Sequence, residues 1–424
     1  ISRASDVGIT PVKFDNRKVM DEILKLRSEM SILLGLSNYA EYSVQSKMVD
    51  SPESVIDFLE KLVDLSHLQA TTELKDLEAF AGHDLMPWDL MFYSEKLKQK
   101  VFNFKSADLK PYFPESSVLS GLFETIQNLY NVTLTEVEED CYHPDVRVIM
   151  LEDEDGPIGK IYFDVYAREN KRGGAWMSDF QGLYKDSLPV AFVVCNLNSP
   201  KDGKPALFDF DEIVTIFHEF GHALHHLLTK VTFPCAAGIS GVPWDGVELP
   251  SQYMENFCYE RGVIDLISGH WETGEKLPEE LFNKVIDSKN FQSGLQMLRQ
   301  CEFSLWDINT HISNLDTYKV LDSVREKTAL VPVIGENRFL NSFSHIFSGG
   351  YAAGYFSYKW AEVLAADAYE FVKDNGGIES KSADDFRRFI LEVGGSLDFM
   401  GQYIKFRGGK PKMEGLLKSS GISI

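Results

Sequence analysis

Apolar residues recur at three- and four-residue spacing from Asn16 to Leu34, at Val19, Met20, Ile23, Leu24, Leu26, Met30, Leu33 and Leu34. This period predicts a helix that Gly35 stops. Ser51 and Pro52 then offer an N-cap and a proline suited to a first helical turn. Val55, Ile56, Phe58, Leu59, Leu62 and Val63 mark the second helix that follows. Helical patterning runs on to about Tyr130, interrupted near Met86-Pro87 and from Pro111 to Pro114.

The period changes between Thr133 and Asn198. Val146 to Met150 is strand-like, Glu152 to Gly156 is a charged turn, and Ile158 to Tyr166 alternates, so together they predict a hairpin. Ala191 to Cys195 predicts a further strand. A small sheet of about three or four strands is therefore expected inside a mainly helical chain. From Phe210 helical spacing returns, broken by Gly- and Pro-rich segments at 232–246, 331–338 and 348–354. No repeat, low-complexity tract or long linker interrupts the chain. The expected division is a helical region over 1–132 and a second region over 133–424.

Composition narrows the class. A chain of 424 residues points to about two to three domains or one large helical body. Its 44% hydrophobic and 25% charged residues are those of a folded protein. Sixty-four acidic against 42 basic residues leave a formal charge of −22. That disfavours sequence-independent nucleic-acid binding and docking on an anionic membrane. No window holds the ~18 apolar residues of a membrane span. The first ten residues show no basic stretch leading into an apolar one, so no secretory signal is expected. They also lack an initiator methionine, which suggests a processed chain or part of a longer one. Cys141, Cys195, Cys235, Cys258 and Cys301 are widely spaced without a CxxC pair. Buried thiols in a reducing cytoplasm are expected rather than a disulfide framework.

The chemistry concentrates in one segment. Asp209, with Glu212 three residues on, predicts a capping box opening a helix near Phe210. That helix carries His218-Glu219-Phe220-Gly221-His222. Four residues turn about 400° and rise about 6 Å, so both imidazoles can reach one ion. Glu219 leaves the same turn sideways, where it can act on a water at the metal without ligating the metal. Two histidines need a third protein ligand. His225 and Leu228 stand where a metzincin has Gly and His, which excludes that class. A carboxylate on a second helix remains, from Asp245, Glu248, Glu255 or Glu260. Pro250 suits the first turn of such a helix. Glu248 and Glu255 are seven apart and share a face, so one could ligate while the other fixes a histidine. Spacing does not choose between them. His225 is read as a buried or solvent-facing residue, with a role beside the site as the alternative.

The stretches His218 to His226 and Gly238 to Asn256 resemble the thimet oligopeptidase family of zinc peptidases, closest to its oligopeptidase A branch. The resemblance extends over Trp88-Asp89, Tyr93 to Lys96, Pro111 to Glu115, Ala167 to Trp176 and Phe343 to Tyr355. It implies a mainly helical zincin-type body with a small sheet beside the zinc helix and a deep substrate channel. It implies His218, His222 and Glu248 as ligands of one Zn2+ per chain, and Glu219 as catalytic base. Residues 1–132 would form part of the channel wall and 133–424 the zinc catalytic region. Substrates would be short unstructured peptides, cut internally. The family usually has a further helical region before the point where Ile1 falls, a missing N-terminal partner segment by this reading.

The Gly349-Gly350-Tyr351 segment has its own physical reading. Glycines allow a loop with positive φ, and Tyr351, Tyr355 and Tyr358 share a face if a helix follows. A phenol O–H is a suitable donor to an oxyanion. Three core aromatics are the alternative. The resemblance implies catalytic roles for Tyr351 and Tyr358 and substrate contacts for His345, Tyr355, Gly349 and Gly350. The strand Ala191 to Asn196 is expected to offer a sheet edge to an extended peptide.

Overall fold

Ser51 and Ser54 each accept the other's backbone N–H at 3.2 Å, closing a capping box in front of Pro52. The helix they open runs Pro52–Ala81 and ends at Gly82, whose φ of 82° a side chain would resist. This is a computed structural model, which describes residues 15–103, 105–185, 187–313, 316–335 and 337–422. The first residues, on which the leader expectation rests, lie outside these.

The chain divides into two compact units, each assembled from separated stretches. One takes residues up to Lys98, Asn290–Trp360 and the stretch from Ser420. The helix Arg17–Leu33 matches the first expected helix. The Pro52–Ala81 helix packs along Ser293–Ile312. A Cβ on Gly294 would stand 2.7 Å from the backbone nitrogen of Ala70, so glycine permits that close approach. Nearby, Met20, Trp306, Val320, Leu321, Leu340, Ile346 and Tyr355 form one buried cluster.

The other unit takes Gln99–Lys289 and Ala361–Ser419. It holds a five-stranded sheet of β1 Thr133–Val137, β2 Arg147–Asp153, β3 Gly156–Tyr166, β4 Trp176–Gln181 and β5 Val190–Leu197. Their order is β1-β2-β3-β5-β4. The β2–β3 hairpin is the expected one, and β3 and β5 pair in parallel. β5 lies between β3 and β4. Over Val190–Val194 it therefore has no free edge, contrary to expectation: β3 and β4 pair with it there on either side, and β4 forms that border of the sheet.

The Phe210–Leu227 helix packs on β3, β4 and β5. Ile213, Ile216, Phe217, Phe220, Ala223, Leu224 and Leu227 are its buried apolar residues. Phe220 meets Phe163 of β3 edge-on with ring centroids 5.6 Å apart. No helix among the described residues is long and apolar enough to cross a membrane. Cys195, Cys258 and Cys301 are buried, whereas Cys141 is partly exposed and Cys235 exposed.

Candidate functional site

The helix that carries the histidines begins as its sequence requires. Asp209 Oδ1 accepts the Glu212 N–H at 3.0 Å, and Glu212 Oε2 accepts the Asp209 N–H at 2.8 Å. Near its other end, His226 Nε2 lies 2.8 Å from the Gln181 carbonyl of β4. The helix is thus fixed in register on the sheet. Its apolar side faces the strands, and His218 and His222 remain partly exposed.

Glycine decides what lies across from them. A Cβ on Gly221 would stand 2.5 Å from the Pro250 carbonyl oxygen and 2.5 Å from Ser251 Cα. Only a residue without a side chain lets the Leu249–Phe257 helix come this close. Glu248 occupies the N-cap position of that helix, with Pro250 in its first turn. Its Oε2 lies 3.3 Å from His218 Nε2 and 3.1 Å from His222 Nε2. The ligand-capable atoms of these three residues fall within 4.8 Å of one another.

Glu255, at the far end of the same short helix, places Oε1 2.6 Å from His218 Nδ1. The two glutamates that spacing left equivalent thus meet opposite nitrogens of one imidazole. Burial opposes charge on His218, but its hydrogen bonds to Glu248 and Glu255 outweigh that and hold the ring pKa up to about 10. Burial would raise Glu248, yet the two imidazoles hold its carboxyl well below the usual range. Glu260 lies elsewhere, accepting from Tyr369 and pairing with Lys373 at 3.1 Å. Asp245 is buried outside the group. His225 is fully buried, and burial pushes its ring pKa down to about 3.

Glu219 is 5% exposed, and its Oε2 has no hydrogen-bond partner. Burial raises its pKa, opposed by His218 and His222 and by a hydrogen bond from the Met177 backbone of β4. A buried carboxylate oxygen without a partner is costly and calls for a reason. β4 had no signal in the sequence, since residues 178–181 are all exposed and carry no buried alternation.

The remaining expected residues belong to the other unit. Tyr351 and Tyr358 stack with ring centroids 4.7 Å apart and planes at 18°. Tyr355 meets Tyr358 at 5.3 Å, and His345 meets Tyr351, Tyr355 and Tyr358 at 6.1, 5.6 and 6.3 Å. The shared face does not come from one helix. Residues 352–356 are a turn, and the helix begins only at Ser357. Gly349 and Gly350 are exposed. A Cβ on Gly349 would lie 2.9 Å from the His345 carbonyl oxygen, so glycine permits that turn.

A mainly helical fold with a small sheet behind an HExxH helix, and a glutamate brought over by a second helix, is that of zincin-type metallopeptidases. The chain belongs to peptidase family M3, which matches residues 4–422. It is 46% identical to oligopeptidase A of Escherichia coli strain K12, over 99% of this chain and 64% of that protein. It is 33% identical to dipeptidyl carboxypeptidase of the same strain, over 97% of this chain and 62% of that protein. Among solved structures, PZ peptidase A with an inhibitor superimposes with a TM-score of 0.60 at 15% identity. That match covers 96% of this chain and 64% of that one. The chain thus spans somewhat under two thirds of the relatives it matches.

Proposed function

We propose that this chain is the catalytic part of a zinc-dependent endopeptidase that hydrolyses internal bonds of short, unstructured oligopeptides. The carrying observation is the convergence of His218 Nε2, His222 Nε2 and Glu248 Oε2, with a buried, unpartnered Glu219 oxygen from the same helical turn. Two imidazoles and one carboxylate suit Zn2+ and leave a coordination position open. Zinc, when bound, supplies Lewis-acid polarisation of the scissile carbonyl and acidifies the attacking water.

The chain's own groups do the rest. Glu219 takes the proton of the attacking water and delivers it to the leaving amine. Its burial makes it a better proton acceptor than an exposed carboxylate. Glu255 keeps the His218 ring turned with Nε2 toward Glu248. Tyr351 and Tyr358 donate to the developing oxyanion, while His345, Tyr355, Gly349 and Gly350 contact the peptide. The likeness to oligopeptidase A and the ring cluster around His345 support these roles.

Glu219→Gln tests the mechanism. The variant is expected to retain zinc and lose nearly all turnover on a quenched peptide of roughly ten residues, since a missing general base costs about 100- to 10,000-fold. Near-normal turnover would refute the reading. The relative named dipeptidyl carboxypeptidase favours a second one, removal of short pieces from a terminus. Mass spectrometry of products from peptides of increasing length separates the two: internal cuts support the endopeptidase, and C-terminal dipeptides alone support the exopeptidase. Peptide retained intact would instead indicate a binding module.

A further inference from the structure

We propose that Asp307 is the positioning residue of the tyrosine loop, acting through the backbone amides of residues 353–355; its effect on turnover rests on the peptidase reading above. Asp307 lies on the Ser293–Ile312 helix and is 1% exposed. Its Oδ1 accepts the N–H of Ala353 at 2.9 Å. Its Oδ2 accepts those of Gly354 at 2.8 Å and Tyr355 at 2.9 Å. Ala353 adopts a φ of 47°, a left-handed conformation that L residues rarely take. Such a turn aims consecutive N–H groups at one point, where an anion fits. Here the anion comes from the protein itself.

A second layer holds the carboxylate. His311 Nδ1 lies 3.1 Å from Asp307 Oδ1 and 2.8 Å from the Asp307 carbonyl oxygen. His311 Nε2 lies 3.1 Å from Arg27 Nη1. A guanidinium can only donate, so Nε2 accepts and the ring proton sits on Nδ1, facing Asp307. Arg27 Nη2 also donates to the Ile346 carbonyl at 2.7 Å. Ser43 Oγ donates to the carbonyls of Ala352 and Ala353 at 3.0 Å.

The loop is therefore clamped at Ile346 and again at 352–355, with exposed Ser348, Gly349 and Gly350 between the clamps. Tyr351 directly precedes the second clamp, Tyr355 is its last residue, and Tyr358 follows one turn on. Asparagine would fill the same volume at 307. It has only one accepting oxygen, and its amide hydrogens would oppose the loop's own donors. The charge of Asp307 thus sets where the phenols stand, without Asp307 touching substrate.

The test is amide hydrogen exchange on the full chain together with steady-state kinetics. In the wild-type chain the amides of 353–355 should exchange slowly. In Asp307→Asn they should exchange about tenfold faster or more, with the Ser293–Ile312 amides and zinc content unchanged. kcat should fall about ten- to hundredfold, and KM should rise by a smaller factor as the peptide contacts of the same loop loosen. His311→Ala, which keeps the Asp307 carboxylate but removes the ring behind it and the acceptor for Arg27 Nη1, should raise exchange at the same amides by a smaller factor and covers the case in which Asp307→Asn does not fold. Wild-type exchange at 353–355 in either variant overturns the proposal. So does a kcat loss matched by a loss of zinc. A wild-type chain inactive on every peptide would refute the peptidase reading instead, and the exchange data would still decide the role of Asp307.

Discussion

Glu255 Oε1 lies 2.6 Å from Nδ1 of His218, on the side of the ring opposite the 3.3 Å approach of Glu248 to Nε2. A carboxylate there fixes the tautomer, leaves Nε2 as the donor atom for a metal, and makes the ring a stronger base. Glu255→Ala should lower zinc affinity about 10- to 100-fold, read by competition with a chromophoric chelator. The same hydrogen bond holds a proton on His218 when no metal is bound, so thermal stability of the metal-free chain should also fall at neutral pH. Unchanged affinity would show that the contact does not orient the ring.

Gly221→Ala separates two opposing effects. Alanine inside a helix normally stabilises it by about 0.5–1 kcal/mol over glycine. Here the added carbon would lie 2.5 Å from the backbone of Pro250 and Ser251. Overpacking costs about 1–3 kcal/mol, so the net effect should be a loss of stability. Zinc affinity should fall with it, since the helix displaced is the one that begins at Glu248. Calorimetry and a zinc titration of one preparation check both parts.

Asp164 gives a pH signature. Burial would raise its pKa, but hydrogen bonds from Arg168, Lys171 and Tyr142 outweigh that and lower it from 3.8 to about 2. A carboxyl depressed in the folded state stabilises above its unfolded pKa and loses that contribution as pH falls toward the folded one. Wild-type stability should therefore drop by about 2 kcal/mol between about pH 4 and pH 2 on account of this group. Asp164→Asn should abolish that part of the slope in urea unfolding followed across the range.

Tyr351→Phe and Tyr358→Phe remove one donor each and keep the stacked rings. Because both phenols donate to the oxyanion in the proposed mechanism, each variant should lose up to about 100- to 1,000-fold in kcat with a small change in KM. The larger loss marks the principal donor. Steady-state kinetics on a single quenched peptide assigns the roles, and two variants with wild-type kcat would remove the tyrosines from the mechanism.

Local pattern carried a good deal of this. The N-cap at Ser51, the capping box at Asp209, the β2–β3 hairpin and the HExxH helix are each set by residues within a few positions of one another, so the sequence displays them. β4 was invisible because it carries almost no buried alternation, and β1 because it buries little besides Leu134. β5 looked like an edge because β4, the strand just before it in the chain and its antiparallel partner, gave no such signal. Glu248 and Glu255 stayed equivalent by spacing, because nothing along the chain says which nitrogen of His218 each will meet. Asp307 carries no local signal at all. Its segment reads as ordinary helix, and its partners lie 46 to 48 residues on.

The division of the chain into two units built from separated stretches bears on its biosynthesis. A ribosome makes the residues up to Lys98 long before Asn290–Trp360 of the same unit, and the HExxH segment well before Ala361–Ser419. Neither unit can close until its later stretches have emerged. The long Pro52–Ala81 helix must wait for its packing partner with its apolar side uncovered. Nascent chains of this protein should therefore expose apolar helix faces until those later stretches have emerged.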